Sequence, residues 1–154
     1  MTPRSLILCL VAALAACAPG PGTERLSAGA TVDIASAGTQ LSVQRAGQGI
    51  FRPLIHSPAL QAAAQAQADD LAAAERVGHL GADGTPLTDR LQRAGYSACV
   101  SVENVAQGTT DIRGTVATWM ESADHRANIL NPGVTQFGFA GTGQTWVLVL
   151  ARPC

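Results

Sequence analysis

The sequence predicts an α+β fold in which helices cover both faces of a central, mainly antiparallel sheet. Apolar residues recur at helical spacing through much of residues 38–130, which indicates amphipathic helices. Two later apolar runs, Phe137 to Ala140 and Trp146 to Leu150, are joined by Gly141-Thr142-Gly143, a pattern typical of a β-hairpin. Because the second run is apolar on both faces, we expect it to lie in the middle of the sheet.

The composition favours one globular domain and excludes an electrostatic binder of nucleic acid. The chain has 154 residues, of which 47% are hydrophobic and only 14% are charged, so it can form a real core. All ten basic residues are arginine, and the formal net charge is -1. Without a basic excess we expect no nucleic-acid partner.

Residues 1–16 are predicted to be a targeting segment. Arg4 precedes an apolar run from Leu6 to Ala16, which is too short to span a bilayer as a stable helix. The run closes at Cys17 in a sequence that resembles a bacterial lipobox, which implies an acylated cysteine that anchors the mature protein to a membrane. Ala18 after it implies outer-membrane sorting in that class. The alternative is a plain secretory signal cleaved near Ala18, and both place the domain outside the cytoplasm.

Two cysteines remain for the folded domain once Cys9 and Cys17 are set aside. In an oxidising compartment an isolated pair usually forms a disulfide, so we predict a bond between Cys99 and Cys154. The chain-entropy model gives about 4 kcal/mol of stabilisation for a loop of that size. A reactive thiol at Cys99 is the alternative.

The tether and the first helices follow in chain order. Residues 17–37 are predicted to be the lipidated cysteine and a flexible tether, with a short strand as an option for residues 31–34. The domain is predicted over residues 38–154, and its first helix over residues 38–46. Ser57 and Pro58 are a helix-start signal for a second helix that runs to about Val77. Gly78 would end it, and His79 would then lie where the helix dipole favours a charged imidazole.

The second half of the domain contains signals for two further helices with a strand between them. Thr85-Pro86 is predicted to start a helix that ends at Gly95. A strand is predicted over residues 100–106, with neighbouring side chains on opposite faces. The apolar stripe that ends at Trp119 and Met120 predicts another helix, capped by Thr109 or Thr110.

Four segments in order carry a family resemblance. They read H-x-G-x-D-G, R-x-x-x-x-G-Y, E-N-V-A and W-M-x-S-x-x-H-R-x-N-I-L, over His79–Gly84, Arg90–Tyr96, Glu103–Ala106 and Trp119–Leu130. This pattern resembles the bacterial form of the CAP (or SCP) domain of cysteine-rich secretory protein, antigen 5 and pathogenesis-related 1. The resemblance covers roughly residues 38–154 and implies an α-β-α sandwich.

The resemblance also implies a cavity lined by two histidines and two glutamates, which binds a metal in several members. His79, Glu103 and His125 match three of these positions, and such a set suits Zn²⁺ with an open position for water. Ser122 occupies the position of the second glutamate, and Glu121 lies about 100° away on the helix. This departure puts in doubt a mechanism that needs two carboxylates.

The remaining polar and aromatic residues have structural interpretations. Arg90 and Arg126 could clamp an anionic ligand, but ion pairs with Asp83 or Asp124 are favoured. Asn104 and Asn128 are expected to hydrogen-bond the backbone at turns. The sequence further predicts that Trp119 is core, that Tyr96 lies at the core edge and that His56 is in an exposed loop. Serine hydrolase chemistry is not supported, because the serines lack a G-x-S-x-G context.

Two function classes follow. The favoured one is a binding module in the cell envelope, anchored by lipid, whose cavity holds a divalent metal ion, a small ligand or an envelope component. The alternative is a metal-dependent hydrolase, such as a peptidase, with Glu103 as general base. A purely structural envelope protein is a third possibility.

Overall fold

The computed structural model describes residues 32–154. The predicted signal segment, the lipidation at Cys17 and the tether up to residue 31 lie outside this range. The helices of the described part are α1 (Ile34–Ala46), α2 (Pro58–Ala73), α3 (Leu87–Arg93), α4 (Ile112–Glu121) and α5 (Ala123–Ile129). Its strands are β1 (Ile55–His56), β2 (Ala98–Gln107), β3 (Gln136–Thr142) and β4 (Thr145–Pro153). Within residues 32–154 no helix has the length and apolar character needed to cross a bilayer.

The four strands form one mixed sheet in the order β1-β3-β4-β2. β4 pairs antiparallel with both β2 and β3, whereas the short β1 runs parallel to β3. The predicted mainly antiparallel sheet, with its hairpin and its interior last strand, is therefore confirmed. β2 lies at one edge of this sheet and pairs only with β4 among the described strands.

Side chains of β4 alternate between two cores, as the pleat requires. Trp146 and Leu148 pack with residues of α1, α4 and α5 on one face, whereas Val147 and Val149 pack with residues of α2 and α3 on the other. Because each face of the sheet is covered by helices, the fold is the α-β-α sandwich that the resemblance implied.

Helix α2 lies unusually close to the sheet at Gly138. A Cβ added there would come within 2.3 Å of the backbone carbon of Leu60, so only glycine fits. The Gln61 side chain continues the contact, because its amide donates to the carbonyl of Phe139 (3.0 Å) and accepts from the Phe139 N–H (2.9 Å). These bonds satisfy backbone groups that the sheet leaves open on this side.

The first helix begins earlier than predicted. It starts at Ile34 rather than Gly38, because Asp33 caps it and accepts from the N–H of Ser36 at 3.1 Å. The optional strand over residues 31–34 is wrong for the described residues, since Ile34 is already helical and Val32 and Asp33 lie outside the strands.

The second helix begins as predicted at Ser57 and Pro58 but ends at Ala73, before Val77. Glu75 adopts a left-handed conformation (φ 48). The N–H of Arg76 donates to Leu71 O (3.1 Å) and that of Glu75 to Ala72 O (3.2 Å), which is the Schellman pattern of helix ends. Gly78 is therefore not the end of the helix. The dipole argument for the next residue, His79, is wrong, since the dipole acts only within the last turn.

Of two predicted threonine caps, one is replaced by an aspartate and the other has no side-chain replacement. Asp111, not Thr109 or Thr110, caps α4 and accepts from the N–H of Gly114 at 2.8 Å. Thr85 does not cap α3, because its N–H and hydroxyl both donate to Asp83 Oδ1 at 3.0 and 2.5 Å. In both places an aspartate bonds the local backbone near the position where a threonine cap is predicted.

The disulfide between Cys99 and Cys154 is present, with Cα atoms 4.8 Å apart. It joins the start of β2 to the end of the chain. The N–H of Cys154 also donates to Ser97 O at 3.1 Å, which pairs the last residue with the segment before β2. The prediction from the cysteine count is confirmed.

Candidate functional site

A buried carboxylate forms the centre of the site. Strand β2 carries Glu103, whose side chain is only 2% exposed. Its Oε1 accepts from His79 Nδ1 at 3.0 Å, and its Oε2 accepts from Arg90 Nη2 at 2.8 Å. An ionised carboxylate only accepts, so the His79 proton lies on Nδ1 in this contact. Both oxygens of Glu103 are therefore occupied by donors.

The loop after α2 holds His79 against this carboxylate. Arg90, on α3, donates through the same Nη2 to the carbonyl of His79 at 3.2 Å, so one guanidinium contacts both the carboxylate and the loop. The hydrogen bond with Glu103 raises the pKa of His79 above its usual value, against the smaller lowering effect of burial. The His79 side chain remains 60% exposed, so the imidazole presents its free edge to solvent.

The second histidine, His125, comes from α5 on the other side of β2. The side-chain amide of Asn104 donates to the carbonyl of His125 at 2.9 Å, and the amide of Asn128 donates to Asn104 Oδ1 at 2.8 Å. Burial lowers the pKa of His125, and the positive charge of His79 lowers it further. Both asparagines bond backbone groups, as predicted, since Asn128 also donates to Glu103 O.

The hydrogen bonds that Glu103 accepts do not fit a role for it as a direct metal ligand. A divalent ion at Oε2 would lie beside the fixed positive charge of Arg90, and Oε1 already accepts from His79. The arrangement instead fits a carboxylate that orients a metal-binding histidine, whose Nε2 would face the ion. Within residues 32–154 no group of three or more His, Cys, Asp or Glu side chains is arranged to hold a metal ion. The metal set of His79, His125 and Glu103 stays a prediction.

The predicted ion pairs exist with different partners. Arg90 pairs with Glu103 and not with Asp83, which pairs instead with Arg93 at 2.8 Å. The predicted pair between Arg126 and Asp124 is not formed, since Arg126 donates to the carbonyl of Met120 at 3.0 Å. The role of Arg90 was missed because its partner is distant in sequence; its place in the R-x-x-x-x-G-Y segment was the available signal.

Ser122 lies between two helices rather than inside one. Its backbone is extended (φ -87, ψ 127), so α4 ends at Glu121 and α5 starts at Ala123. Glu121 is exposed. The second carboxylate expected by the resemblance is therefore not supplied from this segment.

The aromatic residues behave as predicted, but His56 does not. Trp119 is fully buried, and Tyr96 is buried at the core edge, where its hydroxyl donates to Gln136 Oε1 at 2.8 Å. His56 is partly buried in β1, and its ring packs edge-on against Phe137 with centroids 5.6 Å apart. The prediction of an exposed loop was wrong because a two-residue parallel strand has too few residues to show a pattern.

Comparisons with known proteins identify relatives of the chain and of its fold. The chain is 32% identical over 108 residues to the uncharacterised protein YkwD of Bacillus subtilis, covering 68% of this chain and 41% of that protein. The chain thus spans about two fifths of the length of this curated relative. Among solved structures it is similar to an extracellular protein containing an SCP domain from Bacillus anthracis (TM-score 0.69, 21% identity), covering 77% of this chain and 41% of that one.

A second solved structure matches over nearly its whole length. It is an outer surface protein of Borrelia burgdorferi, with a TM-score of 0.70 and 18% identity, covering 82% of this chain and 99% of that chain. At these identities the solved structures show the fold alone. The family model described as Cysteine-rich secretory protein family (CAP) matches residues 45–145, well over half of the chain. With the α-β-α sandwich and the ordered segments around His79, Glu103 and His125, the chain belongs to the CAP family.

Proposed function

We propose that this chain is an extracytoplasmic, membrane-anchored binding module whose site around His79, Glu103 and His125 holds a divalent metal ion or a small ligand. One observation carries the proposal: a carboxylate that is 2% exposed is bonded to an imidazole that is 60% exposed. A buried charge that orients an accessible ring is typical of a site that presents the ring to a ligand.

The arrangement favours binding over hydrolysis. A general base must take a proton from water, but both oxygens of Glu103 already accept hydrogen bonds, one of them from the buried Arg90. Ser122 stands where a second carboxylate would be needed, and Glu121 is exposed. The hydrolase alternative therefore has no specific support in this geometry.

Membrane anchoring rests on the sequence around Cys17 and on the setting of similar proteins. Two of the similar solved structures are of an extracellular protein and an outer surface protein. Expression of the full chain in a bacterium with labelled fatty acid tests the anchor. We expect label on the wild type and none on Cys17→Ser, with the variant released from the membrane fraction. Unlabelled wild-type protein in the soluble fraction would contradict the anchor and leave the plain secretory signal.

Zn²⁺ binding by the full chain, measured by calorimetry at pH 7.5 and 5.5, tests the site. The variants are His79→Ala and His125→Ala, with His56→Ala as the matched control because His56 belongs to β1 and not to this site. Imidazole must be neutral to bind a metal, so binding should weaken sharply at the lower pH. We expect about micromolar affinity that is lost in both site variants and kept in the control.

Absence of binding, or binding that survives both site substitutions, would remove the metal from the proposal. Binding lost in only one variant would show that the two imidazoles do not share an ion. Either result would leave the proposal only in its small-ligand form.

A further inference from the structure

The His79 loop, residues 76–81, follows α2 and belongs to no helix or strand. Within the described part of the chain, residues 77–80 of this loop make no backbone–backbone hydrogen bonds. Their carbonyls accept from side chains instead. Those of Gly78 and Leu80 accept from Gln67, and that of His79 accepts from Arg90. The position of the His79 ring therefore depends on the side chains that hold this loop.

Gln67 is a polar residue on the otherwise apolar buried face of α2, whose other buried residues are alanine and leucine. It is 0% exposed, and its Nε2 donates to Gly78 O at 3.3 Å and to Leu80 O at 3.2 Å. Its Oε1 is buried and has no hydrogen-bond partner within residues 32–154, which costs free energy. A methionine of similar size would avoid this cost, so the amide indicates a role at the loop rather than in the core.

The other polar side chains near the loop do not hold it in the same way. Asp70 of α2 accepts from the N–H of residue 82 at 2.9 Å, which lies beyond the loop. Arg76 belongs to the loop itself and donates to Leu80 O at 2.8 Å, so this bond does not attach the loop to α2. Gln67 is therefore the α2 side chain that holds the backbone on both sides of His79.

We propose that Gln67 is a positioning residue for the site around His79 and acts through the backbone of the His79 loop. By holding the carbonyls on both sides of His79, it keeps the Nδ1 atom of the ring 3.0 Å from Glu103 Oε1. This contact places the proton on Nδ1 and leaves a free lone pair on Nε2 for a metal ion or a ligand donor. The inference rests on the proposed binding function at His79, but its first test needs no ligand.

NMR of the full wild-type chain gives this first test. Backbone order parameters of residues 77–80 should be near 0.85, as for rigid backbone, and the side-chain amide protons of Gln67 should exchange slowly with solvent. At about pH 9, where the imidazole is neutral, the ring nitrogen shifts of His79 should show the proton on Nδ1. Order parameters below about 0.6, fast exchange of the Gln67 amide or a proton mainly on Nε2 would each overturn the proposal.

Gln67→Met removes the donor and nearly keeps the size of the side chain. Gln65→Met is the matched control on α2, because Gln65 bonds Asp69 and Thr142 and not the loop. In Gln67→Met we expect lower order parameters at residues 77–80 and a shift of the His79 proton from Nδ1 towards a mixture of both tautomers. The control should show neither change. If Gln67 has only a structural role, its substitution changes the urea midpoint and leaves both readouts at their wild-type values, which would refute positioning.

Zn²⁺ titration of the same variants connects the position of His79 to binding. Removing a group that orients a metal-binding histidine typically costs about 10–100-fold in affinity. We therefore expect Gln67→Met to bind Zn²⁺ at least about tenfold more weakly than the wild type, and Gln65→Met to bind it equally well. Equal binding by Gln67→Met would contradict its role at the site. If the wild type binds no Zn²⁺, the metal form of the proposed function fails, whereas the tautomer and the order parameters still decide the role of Gln67.

Discussion

Replacing Glu103 by glutamine should destabilise the fold more than an ordinary surface substitution. The side chain is 2% exposed and is the ion-pair partner of Arg90, which is 6% exposed. Removing one partner of a buried ion pair costs about 3–5 kcal/mol, because the other charge stays buried and uncompensated. Glutamine keeps one oxygen to accept from Arg90, so we expect the lower end, about 3 kcal/mol. That is a large fraction of the stability of a typical domain.

Thermal and urea unfolding at pH 7 measures this loss. At about 2–4 °C per kcal/mol, the midpoint should fall by roughly 10 °C. Glu121→Gln makes the same chemical change at an exposed position and should leave the midpoint within about 1–2 °C. The double variant Arg90→Met/Glu103→Gln removes both charges, so its loss should be at least about 2 kcal/mol smaller than the sum of the single losses. Additive losses, or a Glu103→Gln loss below about 1 kcal/mol, would refute the coupling.

The same substitution should change how stability depends on pH. The contact with Glu103 raises the pKa of His79 above its usual 6.5. The stability that the protonated His79 contributes is therefore complete below pH 6.5 and is lost as pH rises through the pKa of the folded state. Burial lowers the pKa of His125, so protonation costs stability as pH falls below 6.5. These two histidines therefore favour a maximum near pH 6.5. Glu103→Gln should reduce the dependence of stability on pH above pH 6.5, and His125→Ala should reduce it below pH 6.5. An unchanged pH profile of stability in both variants would contradict these roles of His79 and His125.

Three further predictions concern the scaffold and use urea unfolding. Glu75→Gly should stabilise the fold by about 1 kcal/mol, because Glu75 holds a left-handed conformation that glycine adopts freely; no gain would contradict this. Gly138→Ala should cost about 3 kcal/mol or more, since the new Cβ would lie 2.3 Å from the α2 backbone, and a loss below 1 kcal/mol would show that α2 can move away. Cys99→Ser should cost about 4 kcal/mol, equal to the loss in Cys154→Ser and in the double variant, whereas additive losses would contradict a shared disulfide.

Much of the fold could be predicted because its signals are local. Ser57-Pro58 starts a helix through groups within one turn, and the hairpin before β4 depends on its own turn residues. The end of α2 could not be predicted, since glycine is the usual residue at such an end and the chain uses Glu75 instead. The start of α1 was missed because Gly38 and Thr39 have low helix propensity and interrupt the pattern, although Asp33 is a good N-cap residue before them.

The residues of the site could be predicted from the sequence, but their contacts could not, because the contacts depend on tertiary packing. The segments that resemble the family identify His79, Glu103 and His125, because the motifs and their order can be read from the sequence without any knowledge of distances. Which groups Glu103 contacts depends on how the loop, α3 and β2 pack together. Asp83 is a plausible partner of Arg90 in sequence, but Thr85 and Arg93 bind it and hold its pKa well below the usual range.

Two consecutive residues of β2 organise the two halves of the site. Side chains alternate along a strand, so Glu103 faces α3 while Asn104 faces α5. Glu103 bonds the ring of His79, and Asn104 bonds the carbonyl of His125. β2 is an edge strand of the sheet, so its side opposite β4 is not covered by another described strand. Glu103 and Asn104 thus bond the two histidines from opposite faces of β2, so exchanging the two residues in sequence would place each side chain beside the wrong histidine.

This arrangement depends on the register of β2 against β4, since a slip of one residue would turn Glu103 to the opposite face. The pairing Glu103↔Val149 continues to Val100↔Arg152, and the register then shifts between Ala98 and Val100. Cys99 is the residue at that irregularity, and its disulfide to Cys154 joins the two strands there. The bond therefore holds the end of β4 against the start of β2, four residues before the buried carboxylate (103 − 99 = 4).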